Sequence, residues 1–205
     1  TDISAQEVIN NCSESKLRAI IKILGEEKEA SRIARNIIKV RSKIKITKAN
    51  QLVEIIEKSK KKNYLKKINP STKTFQALRI FVNKEITELI SGIINATRIL
   101  KPGGKILIIS FHSIEDKIIK YFFNNFSSSK PKPSRYLPYT NDLNISLFNK
   151  YKNEIFKPSL IEINKNLPSR SAKLRYAIRS NNKFINPEDL IKKFKKYLDL
   201  ESSHA

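Results

Sequence analysis

The sequence predicts an α/β protein in which a helical part precedes a part that contains strands. Apolar residues recur at helical spacing as far as about Ser59, and no strand pattern occurs there. The apolar run Lys105–Phe111 lies between a helix stop at Lys101–Gly104 and a polar cluster that opens another helix. Near the C-terminus a second strand is indicated by alternation of Leu174, Tyr176 and Ile178 with Arg175, Ala177 and Arg179. Helix, tight turn, a strand buried on both faces and helix together predict the αβα element of a parallel sheet.

The charge of the chain is its strongest compositional signal. Among 205 residues, 41 Lys and Arg residues against 19 Asp and Glu residues give a net charge of +22. Clustered basic charge favours a polyanionic partner such as nucleic acid, although abundant Lys, Ile and Asn also follow from AT-biased codon usage. No apolar run approaches the ~20 residues of a membrane span, so no membrane partner is predicted. The single Cys12 excludes an internal disulfide framework and fits a cytoplasmic location.

The sequence pattern up to about Ser59 predicts four helices. Two short ones lie within Thr1–Leu24, with Ser4 and Ser13 as N-caps. A strongly amphipathic helix follows over Glu26–Lys43, and Thr47 caps a further one that ends near Ser59.

A basic stripe runs along the amphipathic helix. Four residues are spaced four, three and four apart on the side opposite the apolar face: Lys28, Arg32, Arg35 and Lys39. Such a stripe could follow the phosphates of a nucleic acid, or it could be an ordinary solvated face. The basic run Lys58–Lys67 has two readings as well, an exposed linker or an RNA contact.

A long helix is predicted over Thr74–Leu100, and three polar residues flank its apolar stripe. Gln76, Arg79 and Asn83 lie at three- and four-residue spacing on one edge. Half-buried groups of this kind need partners, which are either the protein's own backbone or a ligand in a cleft.

The second part contains the remaining predicted elements. Ser113 is expected to cap a helix over Ile114–Phe126, and the Pro-rich segment Ser127–Pro138 reads as a loop. A strand is expected within Phe156–Asn164, and the final helix starts at Pro187. The basic approach to the second strand suggests phosphate contacts from Arg170 and Lys173, and Arg175 within the strand is a further RNA-binding candidate.

His112 is the candidate with the most chemical interest, because it follows a buried strand and is the only histidine outside the tail. A triad of Ser110, His112 and Asp116 is excluded, since neighbours on one strand end cannot converge and no nucleophile elbow is present. A metal site is not predicted, for want of ligands. Two roles for His112 stay open, substrate positioning and a helix cap.

Glycine is scarce, and this limits how the chain could bind a nucleotide-like group. Only four glycines occur, and no arrangement of them makes a GxGxxG or P-loop sequence. The sequence also contains no Met.

Three stretches together carry a resemblance that goes beyond a generic α/β pattern: Leu24–Ile38, Pro70–Ile86 and Leu100–Phe123. In this order they resemble the small-subunit ribosomal RNA cytosine-N4 methyltransferases of bacteria and organelles, the MraW family. The segment Pro168–Ser180 is similar to the C-terminal strand motif of that family.

The resemblance implies a partial Rossmann-like class I methyltransferase fold with a helical inserted domain at 1–68 and the C-terminal half of the methyltransferase domain at 69–205. It implies S-adenosylmethionine as cofactor, small-subunit ribosomal RNA as partner and methylation of a cytidine N4 amine. The family's cofactor-binding positions fall before Thr1, so this chain alone is expected to be inactive and not to bind the cofactor. Gln76, Arg79, Asn83, His112 and Ser113 resemble cleft-facing positions, and the basic residues resemble an RNA surface.

Two alternatives to catalysis follow from the missing cofactor positions. One is a non-catalytic RNA-binding or ribosome-assembly protein, and the other is a remnant that folds poorly because its sheet edge and apolar faces are uncovered.

Overall fold

The computed structural model describes residues 3–60, 69–128 and 146–203, and most of these residues are helical. The described elements, in chain order, are α1 Ala5–Asn11, α2 Glu14–Ile23, α3 Ala30–Arg41, α4 Ala49–Ser59, α5 Thr72–Asn83, α6 Glu85–Ile99, β1 Lys105–Ser110, α7 Ser113–Asn125, α8 Leu160–Lys165, a 3₁₀ turn Leu167–Ser171, β2 Lys173–Ile178 and α9 Glu188–Ser202. Among the described helices, none combines the length and the apolar character that crossing a bilayer requires.

The chain divides into two compact units. The first unit comprises Thr1–Glu88 together with Lys195–Ala205, and the second comprises Leu89–Phe194. Helix α5 packs against α2 and α1, so the first unit continues beyond residue 68. The predicted boundary at residue 68 refers to where a domain is inserted in the family's fold, not to where the compact units divide. It stays a prediction.

The first unit is a helical bundle with a continuous apolar core, as its periodicity predicts. The core face of α3 is formed by Ala30, Ile33, Ala34 and Ile37, all buried. Gly25 lets the end of α2 approach α5 closely, because a Cβ atom there would lie 2.5 Å from the Lys73 carbonyl oxygen. The predicted caps Ser4 and Ser13 of α1 and α2 are confirmed.

Two helix starts in the first unit differ from the predicted ones. Helix α3 begins at Ala30 rather than Glu26, because Glu26 has a φ of 47° and the buried carboxylate of Glu27 binds Lys60. Helix α4 has Lys48 rather than Thr47 as N-cap. The side-chain oxygen of Gln51 accepts hydrogen bonds from the backbone N–H groups of Thr47 and Lys48.

The predicted long helix Thr74–Leu100 is wrong, since two helices occupy this range. Lys84 separates α5 from α6 and adopts the left-handed conformation, with φ 51° and ψ 40°. The N–H groups that this break exposes at the start of α6 are satisfied by a buried carboxylate, that of Glu201 in α9. A sequence pattern cannot show such a break, because the partner lies more than a hundred residues away.

The second unit is built on an antiparallel pair of strands. Strand β1 runs against β2 in the register Lys105↔Ile178 to Ser110↔Lys173. Both strands lie where the apolar run and the alternation predict them. Within the described residues β1 has no other ladder partner, so the pairing observed is antiparallel, whereas the αβα pattern suggests a parallel one.

One face of this sheet is covered and the other is open. Helix α7 packs against β1 and β2, and the side chains of Ile106, Ala177 and Arg175 are buried there. On the opposite face Leu107 is 59% exposed and Ile109 is 58% exposed. The prediction of a strand buried on both faces is therefore wrong, because the β1 side chains on the second face remain largely exposed to solvent.

The remaining predictions in the second unit have mixed outcomes. The helix after β1 is confirmed as α7, and α9 starts at Glu188, directly after the predicted Pro187. The strand expected within Phe156–Asn164 is wrong: Phe156 makes a single bridge with Leu174, and helix α8 follows with Ser159 as its N-cap. Most of Lys58–Lys67 and of the loop Ser127–Pro138 lies outside the described residues.

Candidate functional site

His112 forms the N-cap of α7 at the carboxyl end of β1. Its Nδ1 atom accepts a hydrogen bond from the Glu115 backbone N–H at 3.4 Å. In return, Glu115 Oε2 accepts from the backbone N–H of Phe111 at 2.8 Å and of His112 at 3.2 Å. This reciprocal arrangement is a capping box. Of the two roles left open for His112 the structure shows the cap, and Ser113, the predicted cap, is the first residue of the helix instead.

A partly buried ionic network lies one helical turn further along α7. Asp116 Oδ1 accepts from Arg175 Nε at 2.7 Å, and its Oδ2 atom accepts from Lys173 Nζ at 3.1 Å. Arg175 Nη1 also donates to the Tyr151 hydroxyl and to Asn153 Oδ1, both at 2.9 Å. The network therefore joins α7, β2 and the segment that contains residues 151–153.

The ionic network sets the protonation of its members. Burial alone would raise the pKa of Asp116, but the hydrogen bonds and charges of Arg175 and Lys173 together lower it below its ordinary value. Burial raises the pKa of Tyr151, so its hydroxyl stays neutral. A carboxylate held in this way is a structural anion, and it is a weak candidate for a general base.

The three basic residues predicted to bind RNA near β2 have different environments. Arg175 is 2% exposed and lies inside the protein, which argues against a surface contact with RNA at this residue. Lys173 is half-buried and its ammonium group contacts Asp116. Arg170 is exposed in the 3₁₀ turn before β2, where a phosphate can reach it.

The polar edge of α5 is occupied by the protein's own groups. Arg79 donates twice to the Glu85 carboxylate, at 2.7 Å from Nε and 3.0 Å from Nη2, and Asn83 donates to the same carboxylate at 3.2 Å. Gln76 makes one long contact of 3.5 Å with the Leu24 carbonyl oxygen. Sequence reasoning missed Glu85, because its position beside Arg79 depends on the left-handed turn at Lys84.

The basic stripe is exposed on α3, as predicted, except at one end. Arg32, Arg35 and Lys39 are exposed on the helix, whereas Lys28 is exposed in the turn that precedes it. Arg32 donates to the Ser59 carbonyl oxygen at 3.1 Å, and Arg35 lies 4.0 Å from Glu14. Because solvent reaches these groups, the side chains can rearrange to contact phosphates at small cost.

A groove opens beside the His112 cap, on the uncovered face of the sheet. Its volume is about 460 Å³, and its apolar walls include Ile109, Phe111, Phe156, Pro158 and Leu174. We call it the β1 groove. Sequence reasoning missed Phe111 and Phe156 as candidates, although an aromatic residue directly after a strand is a signal that could have been weighed.

Comparison with known proteins identifies the family. The model of the MraW methylase family matches residues 1–180. Three proteins similar to this chain, all called ribosomal RNA small subunit methyltransferase H, come from Sinorhizobium medicae (42% identity over 178 residues), Hyphomonas neptunium (38% over 178) and Bartonella grahamii (42% over 180). The matches cover 87–88% of this chain but only 52–54% of these proteins, so the chain spans about half the length of the curated relatives it matches. The chain belongs to the MraW methylase family.

Proposed function

We propose that this chain takes part in S-adenosylmethionine-dependent methylation of small-subunit ribosomal RNA, with the N4 amine of a cytidine as the target. The observation that carries the proposal is the family match over residues 1–180, and the names of the similar proteins support it. The net charge of +22 agrees with a polyanionic substrate.

In this proposal the chain supplies RNA contacts rather than the cofactor site. The exposed cations of α3, Arg32, Arg35 and Lys39, and the exposed Arg170 provide charge at the surface. Such contacts hold the backbone of the RNA in register without reading its sequence. Lys28 extends the same basic surface into the turn before α3.

The described residues do not fit S-adenosylmethionine. The turn around Gly103 and Gly104 is closed onto the end of β2: the Gly103 N–H donates to the Arg179 carbonyl oxygen at 3.0 Å, and the Gly104 carbonyl oxygen accepts from Arg179 at 2.9 Å. The carboxylates nearest the carboxyl end of β1, those of Glu115 and Asp116, both accept hydrogen bonds from within the protein. Both carboxylates therefore already serve structural roles, Glu115 in the capping box and Asp116 in the ionic network.

The substrate's chemistry defines what RNA-binding residues must do. The lone pair of a cytosine N4 amine is delocalised into the ring, so orientation of the amine contributes much of the acceleration. A base must also leave its stack before its amine can be reached. His112 acts as a positioning residue in this scheme, because its Nδ1 atom fixes the first turn of α7, where the Glu115 carboxylate in turn holds the backbone N–H of Phe111.

A second candidate function is RNA binding without catalysis. The exposed basic stripe favours it, and so does the poor fit to the cofactor. The two candidates differ in whether this sequence can work inside a complete methyltransferase.

A chimera tests the two candidates. Residues 1–180 of this chain would replace the matched 178 residues of the Sinorhizobium medicae protein. N4-methylcytidine in small-subunit RNA, detected by nucleoside mass spectrometry, is the expected result. A folded chimera that binds S-adenosylmethionine in calorimetric titration but leaves the RNA unmethylated would favour the second candidate.

RNA binding by the chain itself has a separate test. The triple variant Arg32→Gln/Arg35→Gln/Lys39→Gln should reduce the slope of log affinity against log salt by about two for single-stranded RNA. Removal of three exposed α9 lysines, Lys192, Lys193 and Lys196, is the control of equal charge. Equal effects of the two triple variants would contradict a specific role for α3.

A further inference from the structure

We propose that the β1 groove binds an unpaired nucleobase of RNA by stacking it against Phe111 and Phe156. The inference rests on the proposed function, since it assigns the part of the second unit that holds the RNA substrate near the carboxyl end of β1.

The groove lies on the uncovered face of the sheet. The register places Ile109 opposite Leu174, so these side chains share the face, and Phe156 pairs with Leu174 from the other side. Phe111 continues β1 at the rim and is 54% exposed, while Phe156 is 48% exposed. Two large aromatic rings in one open groove present apolar area that a stacked base would remove from water.

Phe156 is held in place by a neighbouring ring. The ring centroids of Phe156 and Tyr176 are 5.9 Å apart with an interplanar angle of 44°, so the two rings support each other. A ring restrained in this way loses little freedom when a base stacks on it. Every base has a π face, and stacking of this kind tolerates different sequences.

Polar groups complete the groove. Ser169 is 8% exposed, and within the described residues its hydroxyl has no hydrogen-bond partner. Asn166 and Glu162 also line the groove, and a carboxylate can accept from the exocyclic amine of cytosine. An apolar slot with a few hydrogen-bonding groups is the general form of a small-ligand site, and a nucleobase matches it.

Charge favours RNA over a protein as the occupant. Lys157 lines the groove, and exposed Arg170 follows Ser169 directly in the chain. Glu162 repels phosphate, so the RNA backbone is expected to pass by Lys157 and Arg170 while the base enters the slot. A purely apolar protein surface would gain nothing from these cations.

The test measures RNA affinity by fluorescence anisotropy with the 205-residue chain. The probe is a fluorescein-labelled octanucleotide of single-stranded RNA, and a strand of equal length with abasic sites serves as its comparison. Phe111→Ala and Phe156→Ala should each weaken binding of the base-containing strand about fivefold to a hundredfold. Binding of the abasic strand should stay unchanged, because only the phosphate contacts remain.

Matched variants separate stacking from general damage. Leu160→Ala removes a residue that is 78% exposed and does not line the groove, and it should leave both affinities unchanged. Phe111→Leu and Phe156→Leu keep apolar volume, so they protect folding, and they should still weaken binding because the π face is lost. Circular dichroism checks that every variant is folded.

The outcomes distinguish this inference from the proposed function. Failure of the wild-type chain to bind either strand would overturn RNA binding altogether. Strong binding that the Phe variants leave unchanged would overturn only the groove assignment. A third outcome is that the wild-type chain self-associates in sedimentation while the Phe variants do not. If RNA affinity is unchanged in those variants, the groove is a protein-binding surface, and the assignment is overturned as well.

Discussion

Glu201 binds Thr87 with a single carboxylate oxygen. Oε2 accepts from the Thr87 backbone N–H at 2.8 Å and from its hydroxyl at 2.6 Å, while Oε1 accepts from the Ile86 N–H at 3.0 Å. A buried carboxylate from α9 therefore caps α6, a role usually taken by a residue adjacent to the helix in sequence. The favourable interaction of an anion with a helix N-terminus adds to the hydrogen bonds.

Loss of this cap should destabilise the first unit. We expect Glu201→Ala to lower the free energy of unfolding by about 1–3 kcal/mol, because the buried N–H of Ile86 and the half-buried N–H of Thr87 lose their acceptor. Urea denaturation followed by circular dichroism measures the change. The control Asp199→Ala removes an exposed pair with Lys195 and should cost under about 1 kcal/mol. Equal losses in the two variants would contradict the capping role.

The pH dependence of stability should show opposite contributions from two carboxylates. The pKa of Asp116 is lowered, so its stabilisation is present above the ordinary Asp value of about 3.9 and is lost as pH falls through the lower folded value. Burial, with a smaller contribution from Glu85, raises the pKa of Glu201, so its protonation favours the folded state and stability declines as pH rises through the folded value.

Variants isolate the two carboxylates. The difference in unfolding free energy between wild type and Asp116→Asn should shrink as pH falls below about 3.9. Relative to Glu201→Gln, the wild type should lose unfolding free energy as pH rises above about 4.3. Differences that stay constant between pH 3 and 7 would show that neither group changes its pKa on folding.

Arg175 and Arg170 should have separable effects although both are basic residues near the same strand. Arg175→Ala leaves the half-buried Asp116 with Lys173 as its remaining cationic partner and should cost about 1.5–3 kcal/mol of stability. Arg170→Gln, at an exposed position, should leave stability unchanged and reduce the salt slope of RNA binding by about 0.7. Thermal denaturation and anisotropy titrations check the two expectations.

The reverse pattern would contradict this assignment. If Arg175→Lys, which keeps the charge, lowered RNA affinity without a change in stability, the prediction of an RNA contact at Arg175 would be supported.

The two roles of His112 can be separated by substitutions that differ in capping ability. Asn is a good N-cap, whereas Ala is a poor one, so His112→Ala should cost about 0.5–2 kcal/mol and His112→Asn much less. If His112 acts only by positioning α7, RNA affinity should follow this order as well. Equal losses of affinity in both variants, with stability retained in His112→Asn, would mean that the imidazole itself contacts RNA.

Local patterns predicted the positions of most elements, because helical periodicity, N-caps and strand alternation are encoded within a few residues. Ser4, Ser13 and the apolar face of α3 are examples. The break at Lys84 could not be predicted, since its exposed N–H groups are capped by the distant Glu201. The burial of Arg175 could not be predicted either, since its partners lie on two other segments, α7 and residues 151–153.

The candidate site was predicted in part. The carboxyl end of β1 was identified as a place of interest, and the exposed α3 cations were found where the spacing placed them. The aromatic groove was missed, because apolar residues at a strand end read as core when nothing in the sequence shows that the face stays open.

The buried arginine has a consequence for how the two strands find each other. Both faces of β1 are apolar, since Ile106 and Ile108 point one way and Leu107 and Ile109 the other, so hydrophobic patterning alone leaves the register ambiguous. If β2 slipped by one residue along β1, Arg175 would point to the open face, and Asp116 would lose this partner. We therefore expect the ion pair to disfavour the slipped register, which would make Arg175 contribute to structural uniqueness as well as to stability.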